Sequence, residues 1–385
     1  GRDCTLGRMR VLVAPDKFRG TLTAEEAARA IEGGWLRARP DDTIARVPVA
    51  DGGEGTLDAL LAAATGRRMA VRVTGPVGDP VEAEYGLIPS PQGQVGIVEM
   101  SRASGLELVP EGRRDALHAT TRGTGELIRA ALAEGPVRVI VAVGGSATTD
   151  GGAGMAQALG VRLLDAEGRE IRPGGEGLLD LARVDVSELD HVARSVRFLV
   201  AADVDNPLVG PSGAAAVFAP QKGASPGDVV LLDRALAHYA AILSKDLGVE
   251  VRDLPGAGAA GGLAAGLIAF LGARVRPGVE IVMEAVRLPE RILTSDLVIT
   301  GEGKVDASSL GGKTVAGVTR VAREAGIPVL VLSGSAETTI EGAEVASLAE
   351  RFGMRRALED TAPALGDLAE ERARSFRDRN LRPTI

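Results

Sequence analysis

The chain is expected to fold as an α/β protein with mainly parallel sheets, in which a second α/β domain interrupts the first. Three observations carry this. Apolar, β-rich runs alternate with helical patterns toward both ends of the 385-residue chain. Between about 67 and 101 the rhythm breaks into successive strands joined by Pro and Gly turns. The length also exceeds what one core ordinarily serves.

From the N-terminus, "RVLVAPD" is followed by the helical "TAEEAARAIEGGWLRA", and "TIARVPVAD" by "EGTLDALLAAAT". Thr23, ahead of Ala-Glu-Glu, is a good N-cap with acidic first-turn residues. "RRMAVRVTGPVGDPVEAEYGLIPSPQGQVGIVEMS" reads as a ribbon of strands, and "VRVIVAVGGS" as a buried strand before a Gly-led helix. After 293 the rhythm returns with "SDLVITGEG", a helix from about 313 to 325, and "PVLVLSGS". The economical parse joins residues 9–90 and 293–380 in one domain and inserts 91–292 as another. Residues 1–8 read as an appendage before Met9, and the tail after about 380 as frayed.

Composition removes several functions. An aromatic share of 2% leaves Leu, Val, Ile and Ala to build the core and makes base stacking an unlikely task. A net charge of −8 without a basic run argues against nucleic acid or an anionic membrane as partner. The single cysteine, Cys4, allows neither a disulfide framework nor a Cys-based metal site, and the cytoplasm is the expected compartment. No apolar stretch reaches about 18 residues, so no spanning segment is expected. Of 44 basic residues only five are Lys (17, 222, 245, 304 and 313), and Asn occurs only at 206 and 380. A Lys kept against that bias suits a compact point charge on phosphate, although Lys245 reads as a solvated helix face.

Polar residues gather where hydrophobic strands stop, the edge at which open parallel sheets bind ligands. "VLVAPDKFRGT" brings Asp16, Lys17 and Arg19 together, and "VPVADGGEGT" places Asp51 and Glu54 on a Gly-rich bend; each is also an ordinary strand-to-helix turn. "VIVAVGGSATTDGGAGM" surrounds Ser146, Thr148, Thr149 and Asp150 with glycines, which leaves backbone amides free to face an anion. "FLVAADVDNPLVGPSGAAAVFAPQKGA" offers Asp203, Asp205 and Asn206, then Gln221 and Lys222; this set suits a metal or a hydroxyl, or an Asx-turn before Pro207.

Two nucleotide motifs are incomplete. In "GEGKVDASSLGGKT" (301–314) a P-loop would need Gly where Ala307 stands, yet the segment carries Glu302 and Asp306 after the strand, and Lys313 and Thr314 at a helix start. It reads as a phosphate and metal segment of another kind. "GAGAAG" (256–261), with Glu280 further on, matches a dinucleotide fingerprint and leaves an NAD-dependent dehydrogenase as the alternative. The preceding "VEVRDL" alternates polar and apolar residues, and Pro255 intervenes. His118, His191 and His238 accompany no Ser or Cys motif, so a nucleophilic triad has no support.

"APDKFRGTLTA", "VADGGEGT", "GPVGDPVEAEYG", "TTRGTGELI", "GGSATTDGGAGM", "DVDNPLVGPSGAAAVFAPQKGA", "GAGAAGG" and "DLVITGEG" follow one another in the order of the type I glycerate kinase family, which the chain closely resembles from about 10 to 335. The resemblance implies ATP-dependent phosphorylation of D-glycerate, usually at the 2-hydroxyl. It also implies a flavodoxin-like doubly wound parallel-sheet domain interrupted by a second α/β domain, with the active site in the cleft. The chain departs from the family in having Arg19 for Lys, Ser308 for Gln and Val315 for Pro. The resemblance carries these motif residues over as a set; for a kinase of a substrate with one carboxylate, Lys17 and Arg19 are expected to hold that carboxylate, and the remaining roles are expected as follows. Asp203 orients or deprotonates the hydroxyl, with Asp205 or Asp51 as alternatives. Gly144, Gly145, Ser146, Thr148, Asp150, Lys222 and Lys313 serve the ATP phosphates, and Glu302 and Asp306 hold Mg²⁺ directly or through water. The sequence does not determine the oligomeric state.

Overall fold

A computed structural model describes residues 8–18, 20–310 and 314–376. Arg19, Lys313, nearly all of the expected appendage before Met9 and the expected frayed tail lie outside the described residues. The strands, in chain order, are β1 (Arg10–Val13), β2 (Thr43–Arg46), β3 (Arg67–Thr74), β4 (Pro80–Ser90), β5 (Gly93–Glu99), β6 (Arg138–Ala142), β7 (Arg162–Leu164), β8 (Arg183–Asp185), β9 (Arg197–Ala201), β10 (Arg274–Arg276), β11 (Leu297–Val305), β12 (Val329–Ala336) and β13 (Glu344–Ser347).

The chain divides into two compact units. One takes the described residues up to Asp51, Asp58–Ala64 and everything from Val279 onward; the other takes Gly52–Leu57 and Thr65–Gly278.

The first unit is built on a five-stranded sheet in the order β13-β12-β11-β1-β2, parallel throughout. Val11, Leu12 and Val13 are all buried, as are Leu297, Val298 and Ile299, because helices cover both faces of such a sheet and alternation would leave apolar groups no advantage. The helix Ala24–Ala38 starts with the expected cap: Thr23 Oγ1 accepts the Glu26 N–H, and the Glu26 carboxylate accepts the Thr23 N–H. Its face bearing Ile31 and Trp35 packs on the sheet, and Trp35 Nε1 donates to buried Asp42 (2.9 Å), which also receives Arg39.

The second unit contains a six-stranded sheet in the order β10-β9-β6-β5-β4-β3, with β3, β4 and β5 antiparallel and the rest parallel, and the small pair β7-β8. The ribbon expected between 67 and 101 is therefore β3 to β5. A boundary at 91 would cut the β4–β5 hairpin, in which Ser90 pairs with Gly93, so residues 67–90 fall with the second unit. The other boundary lies at Val279 and not at 293. Residues 249–254, where the dinucleotide reading needed a strand, form none.

Candidate active site

In the first unit the polar residues collect beyond β1. Ala14 and Asp16 continue the line of that strand by donating to the carbonyls of Ile299 and Gly301 on β11, at 2.8 Å each. Val49, beyond β2, donates to Pro15 (3.0 Å) and brings half-buried Asp51 to the same edge. The Asp16 carboxylate is held at both oxygens: Oδ1 accepts the Lys17 N–H (2.6 Å), and Oδ2 accepts the hydroxyl of Thr314, the first residue of the helix Thr314–Glu324. Burial and then the Asp51 charge push the Asp16 carboxyl up to about 7, while Thr314 and Lys17 draw it down. Lys17 is half-buried beside it.

Glu302 lies within the strand β11, and Asp306 in the bend that follows it. β11 continues to Val305, because β12 runs on beside it and offers partners: Glu302 pairs with Ser333, Lys304 with Ser335 and Val305 with Ala336. The Asp306 carboxylate lies 3.7 Å from the Lys304 ammonium. Among the described residues no group of three or more His, Cys, Asp or Glu side chains could hold a metal.

In the second unit β6 opens into the loop Gly144–Asp150. Gly145 is exposed, with φ +72°, a conformation that favours glycine, and a Cβ on Gly144 would stand 2.6 Å from the Gly53 Cα, so the loop lies close against the Gly52–Gly55 bend. That bend is anchored by Glu99, at the end of β5. Its buried carboxylate accepts the Gly55 N–H (3.1 Å) and the Leu57 N–H (3.0 Å), satisfying amides at a helix start.

The loop then dives inward. Thr148, Thr149 and Asp150 are wholly buried, and Asp150 accepts from Thr121 N and Oγ1, Gly152 N and Gly154 N at 2.8–3.2 Å. Burial pushes this carboxyl up, and the four hydrogen bonds oppose the rise. Lys222 is buried too, and its ammonium donates to the Thr148 carbonyl at 2.5 Å. Burial draws the ammonium down to about 7, with Asp150 opposing. Lys222, Thr148 and Asp150, expected at the phosphates, lie buried beneath the loop, with Gly144, Gly145 and the edge of Ser146 nearer the surface.

At the end of β9, Asp203 and Asp205 are exposed, and Asp203 Oδ1 accepts the Gly278 N–H (2.9 Å). "GAGAAG" packs against the loop: the Gly261 carbonyl receives the Gly151 N–H (3.0 Å), and a Cβ on Gly261 would stand 2.0 Å from the Thr148 carbonyl oxygen. Its glycines serve close backbone approach, which with the missing strand removes the basis of the NAD reading.

Sequence reasoning passed over Glu99 and Thr121. A carboxylate closing the apolar run "VGIVE" was the available signal for the first; the second lies in the motif "TTRGTGELI", which gives no sign of its partner Asp150, 29 residues away.

Glycine turns and carboxylates at the carboxyl ends of parallel strands define an α/β protein of the ligand-binding kind. The chain belongs to the glycerate kinase family, whose model matches residues 11–377. It is 50% identical over 327 residues to the glycerate 2-kinase of Escherichia coli K12, 85% of each chain being covered. The glycerate kinase of Halalkalibacterium halodurans is 50% identical over 325 residues, 84% of this chain and 85% of that one. A crystal structure from Salmonella typhimurium LT2, described as a candidate glycerate kinase 2, superposes with a TM-score of 0.86 at 44% identity, covering 96% of this chain and 98% of the other.

Proposed function

We propose that this protein transfers the γ-phosphoryl group of ATP to the 2-hydroxyl of D-glycerate, giving 2-phosphoglycerate and ADP. The family match over residues 11–377 carries the reading, and the relatedness to a glycerate 2-kinase supports the choice of hydroxyl. Within the first unit the strand order corresponds to 2-1-3-4-5, which supports naming it a flavodoxin-like, doubly wound domain.

Phosphoryl transfer asks the protein chiefly to position reactants and to stabilise spreading charge. Lys17, with Arg19, is assigned to the substrate carboxylate. The Gly144, Gly145 and Ser146 backbone, with Lys313, is assigned to the phosphates, and Thr148, Asp150 and Lys222 hold that loop from below. Asp203 is assigned to orienting the hydroxyl, with Asp205 or Asp51 as the alternatives. Mg²⁺, which family-level kinase chemistry uses with ATP, would supply charge neutralisation on the phosphates when bound, and Glu302 and Asp306 are the carboxylates assigned to hold it, directly or through water.

Phosphorus NMR of the protein with ATP, Mg²⁺ and D-glycerate tests the reading. ADP and 2-phosphoglycerate are expected, with ADP formed only when D-glycerate is supplied. Glycerate-independent ATP turnover would overturn the activity, and 3-phosphoglycerate as sole product would overturn the choice of hydroxyl.

A further inference from the structure

Asp16 has a setting that the assignments above leave unused. It stands at the end of β1, whose neighbours are β2, next in the chain, and β11, reached only after the long excursion through the second unit. This is the point where the strand order reverses, and in an open parallel sheet ligands bind beside it. The carboxylate is fixed from two elements, by Thr314 at the start of its helix and by the Lys17 N–H; a carboxylate oxygen can accept a second hydrogen bond besides the one that each of these supplies.

The geometry points to Asp16 as the acceptor of the substrate hydroxyl proton in phosphoryl transfer. This rests on the kinase reading. Lys17, assigned to the substrate carboxylate, is the next residue, and the 2-hydroxyl is carried by the carbon adjoining that carboxylate. Consecutive residues thus address adjoining groups of the substrate, which favours the 2-hydroxyl over the 3-hydroxyl. In the step, the hydroxyl proton passes to Asp16 and the oxygen bonds to the γ-phosphorus. The bond from that phosphorus to the β–γ bridging oxygen breaks, its electron pair leaving on ADP.

Other carboxylates suit the task less well. Asp150 has no exposure and four donors already on it, and Asp203 is engaged by the Gly278 amide. Asp16 keeps a small exposed edge of 7%, and burial with the Asp51 charge pushes its carboxyl up to about 7, near the pH at which a base is most effective. The charged groups acting on it are Asp51, from beyond β2, and Lys17 on its own segment; Thr314 contributes an uncharged hydroxyl. Along β11 the first titratable residue after Gly301 is Glu302. Arg19 and Lys313 lie outside the described residues.

The experiment compares the unaltered chain with Asp16→Asn, Asp51→Asn and Thr314→Val. Asp16→Asn is expected to lower kcat about a hundredfold or more, with equilibrium binding of D-glycerate and ADP retained. In the unaltered chain kcat/KM for D-glycerate should fall as pH drops through about 7. Asp51→Asn, which removes a like charge, should move that limb to lower pH; Thr314→Val, which removes a hydrogen bond to the carboxylate, should move it higher. Near-normal turnover by Asp16→Asn, or a limb unmoved by both other variants, would overturn the assignment alone. Absence of glycerate-dependent turnover in the unaltered chain would overturn the kinase reading and this assignment together.

Discussion

Asp150 and Lys222 show how much of the loop's shape is held by charge away from water. Removing the carboxylate in Asp150→Ala leaves the Thr121, Gly152 and Gly154 amides without their acceptor and Lys222 buried without its counter-charge. Denaturant unfolding should show a loss of about 3–5 kcal/mol; a loss below about 1 kcal/mol would mean that the loop is held by its glycines. The ammonium also sets a pH dependence. Its folded value of about 7 lies below the ordinary 10.5, so the unfolded chain binds more protons in that window. The stability of the unaltered chain should therefore rise relative to Lys222→Met as pH increases from about 7 toward 10.5, and the difference should be flat below about 7. A difference that shrank with rising pH would contradict the burial of Lys222.

At the level of elements, the helices Ala24–Ala38 and Thr361–Ser375 touch at two glycines. A Cβ on Gly34 would stand 1.9 Å from the Gly366 carbonyl oxygen, whereas neighbouring Gly33 is exposed with no heavy atom within 4 Å of an added Cβ. Adding one methyl group at each site should give opposite results in thermal unfolding. Gly34→Ala overpacks the contact and should cost about 1–3 kcal/mol, while Gly33→Ala removes a helix-interior glycine and should stabilise by about 0.5–1 kcal/mol. Equal effects would show that the helices can move apart without penalty. Strand length was decided in the same way, by neighbours: β11 reaches Val305 because β12 runs on beside it, a fact no local pattern in "GEGKV" contains.

Among the described residues, two separate apolar clusters illustrate the packing of the molecule. One is built on Val11, Ile31, Trp35, Leu297 and Leu365, the other on Val98, Leu127, Val139, Tyr239 and Leu263. Chains of this size with separate cores commonly depart from two-state unfolding. Calorimetry should resolve two transitions, Gly34→Ala lowering only the one and Asp150→Ala only the other; a single transition shifted by both variants would show the cores to be coupled. The sequence alone determined the strand–helix alternation, the cap at Thr23 and the polar clusters at strand ends, since capping and periodicity act over a few residues. It also determined the family, through motifs spread along most of the chain. Only the tertiary structure decided that residues 67–90 belong with the second unit, that "GAGAAG" packs against a loop, that Lys222 points inward, and that Asp16 meets Thr314 across 298 residues. Burial and charge coupling depend on what lies nearby in space, and for these residues the neighbours come from distant parts of the chain.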